Sequence, residues 1–149
     1  MTGQAPGEAP LPPGQFQGRA HVRFGLGRFR HKRLDPGAIR AITWSGEGGW
    51  ARSLPPAFPE LERIEQVSDF HCVTTWSIRG VTWSGWRFRD VFDAVTADGG
   101  PRPGDVRYAV LSGFDGYRSI LALEDLLADD VLLADRIDGR PLGLEHGGP

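Results

Sequence analysis

The sequence predicts an α+β fold, with mixed β-sheets and short inserted helices, on three observations. With 21 Gly and 12 Pro among 149 residues, turns must be frequent and long uninterrupted helices are not expected. Several short runs alternate as strands do, whereas one stretch carries a clear helical period. The order of these segments shows neither an internal repeat nor a regular strand-helix-strand alternation.

Residues 1–18 are expected to be a flexible lead, since MTGQAPGEAPLPPGQ has no period and its prolines block helix and ladder alike. Order is expected to begin near Arg19, and residues 19–149 form one domain, the default for this length. The segment RAHVRFGLGRFRHKRL mixes aromatics with arginines, and 38–44 (AIRAITW) reads as a strand closed by the turn-prone SGEGG. Residues 53–60, with three prolines, read as a loop. Phe70, Trp76, Trp83, Trp86, Phe88 and Phe92 follow closely, a density of aromatics that marks a core. In WRFRDVFDAV, the residues Phe88, Val91, Phe92 and Val95 fall on one helical face and leave Arg87, Arg89 and Asp90 towards water. After the break at DGGPRPGD, VRYAVLSG alternates as a strand that Gly113 ends. A tight DGY turn, a strand SILAL, a short helix LEDLLADD and a strand VLLADRI complete the order, and Asp138-Gly139 is a hairpin signal.

An apolar fraction of 40% and a charged fraction of 24% argue against a disordered or membrane-spanning chain. The net charge of −2 predicts no nucleic-acid partner, although Arg19, Arg23, Arg28, Arg30, Lys32 and Arg33 precede the second acid, Asp35. Every basic residue except Lys32 is Arg, the side chain suited to forked contacts with phosphate or another oxyanion; composition bias is the competing explanation. The first 15 residues hold neither an apolar run nor a twin arginine, and no stretch has the apolar length of a membrane span. A cytoplasmic protein without a membrane partner is the expectation.

A single cysteine, Cys72, allows no internal disulfide and no multi-cysteine metal site. Taken alone, a Cys among apolar residues is more often a small buried hydrophobe than a reactive group. Its neighbours pull the other way: His71 before it, Thr74 and Thr75 after it and Arg79 further on supply positive, hydrogen-bonding surroundings. A thiolate is a soft metal ligand.

Asp69-Phe70-His71-Cys72-Val73-Thr74 with Trp76-Ser77, and Trp83-Ser84-Gly85 leading into Phe88-Arg89-Asp90, resemble the molybdopterin-binding domain of the sulfite-oxidase-like oxidoreductases. Downstream blocks agree in order: Asp115-Gly116-Tyr117, Leu123-Glu124-Asp125-Leu126, Asp129 to Ala134, Asp138-Gly139 with Pro141-Leu142, and Glu145 to Pro149. The resemblance spans residues 64–149, with weaker similarity at Phe24-Gly25-Leu26 and Arg28-Phe29-Arg30.

That resemblance implies a sulfite-oxidase-like fold and a molybdenum-molybdopterin cofactor. It makes Cys72 the protein's metal ligand in a two-electron oxygen-atom transfer on a small-molecule substrate, sulfite-like or sulfoxide-like. It places Tyr117 near the substrate, where a phenol can bond an oxyanion without competing as a ligand. It assigns pterin contacts to His71, Ser112, Gly113 and His146; Phe24, Gly25 and Arg28 are candidate pterin-lining residues, with packing and surface charge as the competing reading. Sulfite would require a cluster of cationic groups around the metal, for which Arg79, Arg87 and Arg118 are candidates. With no haem or flavin motif in the chain, electrons are expected to pass to a separate protein.

Relatives run on past the position of Pro149 into a basic strand and a Lys/Ser loop that complete the pterin-phosphate pocket, so the domain is expected to be incomplete at its C-terminus. Two further readings stand beside the oxidoreductase. One is a truncated or non-catalytic cofactor-binding or interaction module of the same fold. The other is a cysteine nucleophile paired with His71 or His146.

Overall fold

The computed structural model describes residues 9–21, 35 and 41–143. Its centre is a long antiparallel hairpin of β4 (Ile64–His71) and β5 (Trp76–Arg87), paired from Ile64 opposite Gly85 to His71 opposite Ser77. The aromatic density of this stretch pointed to a core, and much of it lies in β5. Ser77, Val81, Ser84, Gly85 and Trp86 are all buried there.

A strand has two edges, and those of β5 are used differently. β4 takes one edge along nearly the whole length. The other is shared by two strands at opposite ends: β1 (Phe16–Gln17) runs parallel beside Trp76 and Ser77, while β8 (Leu132–Ile137) runs antiparallel beside Trp83 to Arg87. The sheet is therefore mixed, as expected. The strand at Phe16–Gln17 lies inside the stretch read as a lead, ahead of Arg19.

The β5–β8 pairing shifts register between Ser84 and Gly85, and at that point the strands nearly touch. A Cβ on Gly85 would lie 2.1 Å from the Leu133 carbonyl oxygen and 2.7 Å from Ala134 Cα, so only glycine fits. β8 returns through Asp138-Gly139 to β9 (Arg140–Pro141), with Ile137 opposite Arg140. Both turn residues have positive φ, 48° and 74°, which is the type I′ geometry that a two-residue hairpin loop favours.

Where β5 ends, the chain enters α1 (Phe88–Thr96), which buries Phe88, Val91, Phe92 and Val95 as its spacing predicts. The helix divides two clusters. Val91 and Val95 pack with Phe58 and Trp86, while Phe88 and Phe92 pack with Leu123 and Leu126; Trp44 borders both. Each such side chain contributes about 1.5–3 kcal/mol on burial. A third cluster, Val81, Ile137 and Leu142, lies against the sheet with Phe70, Ile78 and Trp83 around it.

Two smaller hairpins lie among the described residues. β2 (Ile42–Ser45) and β3 (Ala51–Leu54) enclose the SGEGG turn, so the expected strand is present over its described part, and residues 53 and 54 extend a strand rather than open a loop. β6 (Tyr108–Ser112) and β7 (Arg118–Ala122) flank the DGY turn. α2 (Leu123–Leu126) is half the length of the LEDLLADD segment. Only Leu123 and Leu126 are buried in it, and a helix this short rests on its packing.

Candidate functional site

Cys72 occupies the turn that joins β4 to β5. Thr75 N–H donates to the Cys72 carbonyl at 3.0 Å and Cys72 N–H donates to the Trp76 carbonyl at 2.9 Å, closing a tight loop over Val73 and Thr74. Thr75 closes it at φ 73°, a left-handed conformation that a β-branched residue adopts only under strain. The turn exposes Val73 at 85% but tucks Cys72 beneath, at 9%. The thiol lies 3.1 Å from Thr74 Oγ1.

The polar network behind this turn has a determined polarity. Gln15 Nε2 donates to the Cys72 carbonyl at 3.0 Å, which fixes the amide orientation and leaves Oε1 to accept from Ser77 Oγ at 3.0 Å. The single Ser77 hydroxyl proton is then spent, so Ser77 Oγ accepts from His71 Nδ1 at 2.8 Å. His71 is thus committed to Ser77 and Cys72 to Thr74, an arrangement that does not pair the thiol with that imidazole nitrogen as a cysteine nucleophile requires. Ser77 is fully buried, which explains why the network is closed. Just above, Asp69 sits at a register shift of the β4–β5 ladder and its Oδ1 accepts from Gly80 N–H at 2.9 Å.

Ser112, Gly113 and Tyr117 are gathered on a second turn. Gly113 N–H donates to the Tyr117 carbonyl and Gly116 N–H to the Gly113 carbonyl, both at 2.8 Å, while Asp115 Oδ1 accepts from Tyr117 N–H at 2.8 Å. A Cβ on Gly113 would stand 2.8 Å from Asp115 Oδ1, so the group that approaches this glycine is its own loop carboxylate. Tyr117 is half exposed. On β6 and β7, Tyr108, Val110 and Ile120 share one face and are 65%, 51% and 68% exposed.

The expected site residues that are described therefore fall at two turns on different sheets, and no strand pairing among the described residues joins those sheets. Phe24, Gly25, Arg28 and His146 lie outside the described residues. Of the three expected cations, Arg79 donates to the Ala9 carbonyl at 2.6 Å, Arg87 stands 3.7 Å from Glu62, and Arg118 lies opposite Ser112 near the Tyr117 turn.

Gln15 escaped the sequence reading as a contributor to the thiol turn, and Ser77 entered it only as a member of the resembling block, without a role. Gln15 follows a Pro-Pro-Gly run that signals a loop, and nothing in a linear sequence tells that its amide meets a residue 57 positions later. Among the described residues, no three His, Cys, Asp or Glu side chains are grouped to hold a metal, and no helix is long and apolar enough to cross a membrane. A lone, shielded thiol beside a hydroxyl group fits the part of a single protein ligand to a metal that a cofactor carries.

Comparison with known proteins meets this geometry from another side. The family described as "Oxidoreductase molybdopterin binding domain" matches residues 56–149, well over half of the chain, with the thiol turn and the Tyr117 turn both inside the match. The uncharacterized oxidoreductase YuiH of Bacillus subtilis (strain 168) is 38% identical over 95 residues, covering 62% of this chain and 43% of that relative. The chain thus spans less than half the length of the curated relative it matches. On the extent of the family match, the chain belongs to the oxidoreductase molybdopterin-binding domain family.

Proposed function

We propose that this domain is part of a molybdenum-cofactor-dependent oxidoreductase performing two-electron oxygen-atom transfer on a small sulfite-like or sulfoxide-like substrate, with Cys72 as the protein ligand to the metal. The observation that carries the reading is the thiol turn: the chain's one cysteine, held on a strained, hydrogen-bonded loop within the family-matched segment. When bound, the cofactor supplies the two-electron redox change. The protein's own residues bind and orient. The Thr74 hydroxyl donates to a Cys72 thiolate, a charge-assisted bond stronger than a neutral one. The Cys72 backbone is fixed on both sides, through its N–H by Trp76 and through its carbonyl by Thr75 and Gln15. Tyr117 offers a half-exposed phenol that can donate to a substrate oxyanion, and Arg118 on the same hairpin brings positive charge. His71, Ser112, Gly113, Phe24, Gly25, Arg28 and His146 are the proposed pterin contacts, and electrons pass to a separate carrier protein.

The test is composition. The full gene product, purified from cells that make the cofactor, is expected to hold molybdenum in proportion to protein and to give pterin fluorescence after acid oxidation; Cys72→Ser is expected to lose the metal. A wild-type protein with neither molybdenum nor pterin overturns the reading. Full molybdenum retention by Cys72→Ser overturns the ligand assignment.

A further inference from the structure

We propose that Gln15 is a positioning residue for Cys72, and that the segment around it, which precedes the family-matched residues, straps the thiol turn into its working shape. The bearing of this on a bound metal rests on the reading above; the strap itself is argued from geometry alone.

Five hydrogen bonds define it. Gln15 bridges the turn with both ends of its amide, to the Cys72 carbonyl and to Ser77 Oγ. Phe16 N–H donates to the Thr75 carbonyl at 2.9 Å, at the residue that carries the positive φ. Gly18 N–H donates to the Ser77 carbonyl at 2.7 Å, and a Cβ there would meet Ser77 O at 3.3 Å and Ile78 Cδ1 at 3.2 Å. Further out, Arg79 holds the Ala9 carbonyl. Gln15 is itself fixed, its N–H donating to the Pro12 carbonyl at 3.0 Å in a turn of the Pro-Pro-Gly run. The prolines limit the conformations open to this segment, so less freedom is lost when it docks.

The reason a strap is needed lies in the strand edges. Without β1, the end of β5 next to the thiol would pair with β4 alone, and an isolated two-stranded hairpin is marginal in water. Thr75 in a left-handed conformation adds strain that the loop must hold. Gln15 fixes the carbonyl of the very residue whose side chain is the thiol, and so limits rotation of the Cys72 peptide units and the direction of its Cα–Cβ bond.

Because Cys72 is the only thiol, iodoacetamide reports on it alone. Gln15→Met keeps the side-chain length and removes both hydrogen bonds. It is expected to raise the alkylation rate of the metal-free protein about tenfold at a fixed neutral pH, the scale of losing two ordinary hydrogen bonds. Ser77→Ala breaks one arm and leaves the bond to Cys72, so about threefold is expected. Amide exchange at Thr75 should speed up in parallel. Val95→Ala, which loosens the far helix, controls for general destabilisation and should leave the native-state alkylation rate unchanged. Alkylation of Gln15→Met within twofold of wild type overturns the proposal, as does an equal rise in Val95→Ala. In the cofactor-loaded full gene product, Gln15→Met is expected to retain less than half the molybdenum of wild type, and equal retention would sever the strap from the metal. A wild-type protein without molybdenum would defeat the functional reading and leave the alkylation contrast standing.

Discussion

Replacing Gly85 by alanine tests the packing that places the whole sheet. The new Cβ would lie 2.1 Å from the Leu133 carbonyl oxygen, 2.7 Å from Ala134 Cα and 2.9 Å from the Leu133 carbonyl carbon, all backbone atoms that no rotamer change can move. Comfortable contact begins near about 3.5 Å, so β8 must retreat by more than about 1 Å. That retreat breaks the ladder at Gly85 opposite Ala134, Trp86 opposite Leu133 and Arg87 opposite Leu132. The ladder bonds lost over these three pairs, at roughly 1 kcal/mol each, with some loss of packing around Trp86, give a cost of about 3–4 kcal/mol. Against a total stability of about 5–15 kcal/mol this is severe, and at about 4 °C per kcal/mol it lowers Tm by roughly 12–16 °C. Thermal melts followed by circular dichroism measure it. Gly104→Ala is the control, because nothing lies within 4 Å of its Cβ position, and it should stay within about 0.5 kcal/mol of wild type. If Gly85→Ala melts within about 3 °C of wild type, the close approach of β5 and β8 is not as described.

Two more substitutions probe elements read from sequence. At the β8–β9 turn, Asp138 has φ 48° and its Oδ1 accepts from Thr82 N–H at 3.1 Å, so Asp138→Ala should cost about 1–2 kcal/mol in urea unfolding, while Asp138→Asn, which keeps an acceptor and tolerates the conformation, should be near neutral. Phe92, buried on α1 against Leu123 and Leu126, should cost about 3–5 kcal/mol as Phe92→Ala, read from the urea midpoint with unchanged slope.

Local chemistry decided what could be read in advance. α1 was legible because Phe88, Val91, Phe92 and Val95 obey a helical period that no strand shares, and Asp138-Gly139 because a two-residue hairpin loop demands positive φ. β4 went unassigned, since Ile64 to His71 alternates weakly, with Val67 at 68% exposure on the side where a polar residue would have marked the strand. In α2 the leucines suggested eight residues, and packing supports four. Cys72 was singled out through the ordered blocks around it rather than through any feature of the thiol. The network that holds it was invisible, because His71 meets Ser77 only across the β4–β5 hairpin and Gln15 reaches Cys72 and Ser77 only where β1 runs beside β5.

The division of labour along β5 links fold to site. Its far end is anchored by β8 and by the core around α1, so Trp83 to Arg87 would hold their places whatever happened at the N-terminus. Among the described residues, the thiol end lies beyond the reach of β8, and its packing comes from Phe70 and Ile78 at the margin of the third cluster. Its described edge partner is β1, and His21, a few residues on, closes an aromatic group with Phe70 at 5.4 Å, Trp76 at 6.1 Å and Trp83 at 6.3 Å. Rigidity at Cys72 therefore depends on a segment more than fifty residues away in sequence, whereas the stability of the domain depends mainly on the opposite end of the same strand. Substitutions at Gln15 and at Gly85 should accordingly separate the two properties, with thiol reactivity responding to the first and Tm chiefly to the second.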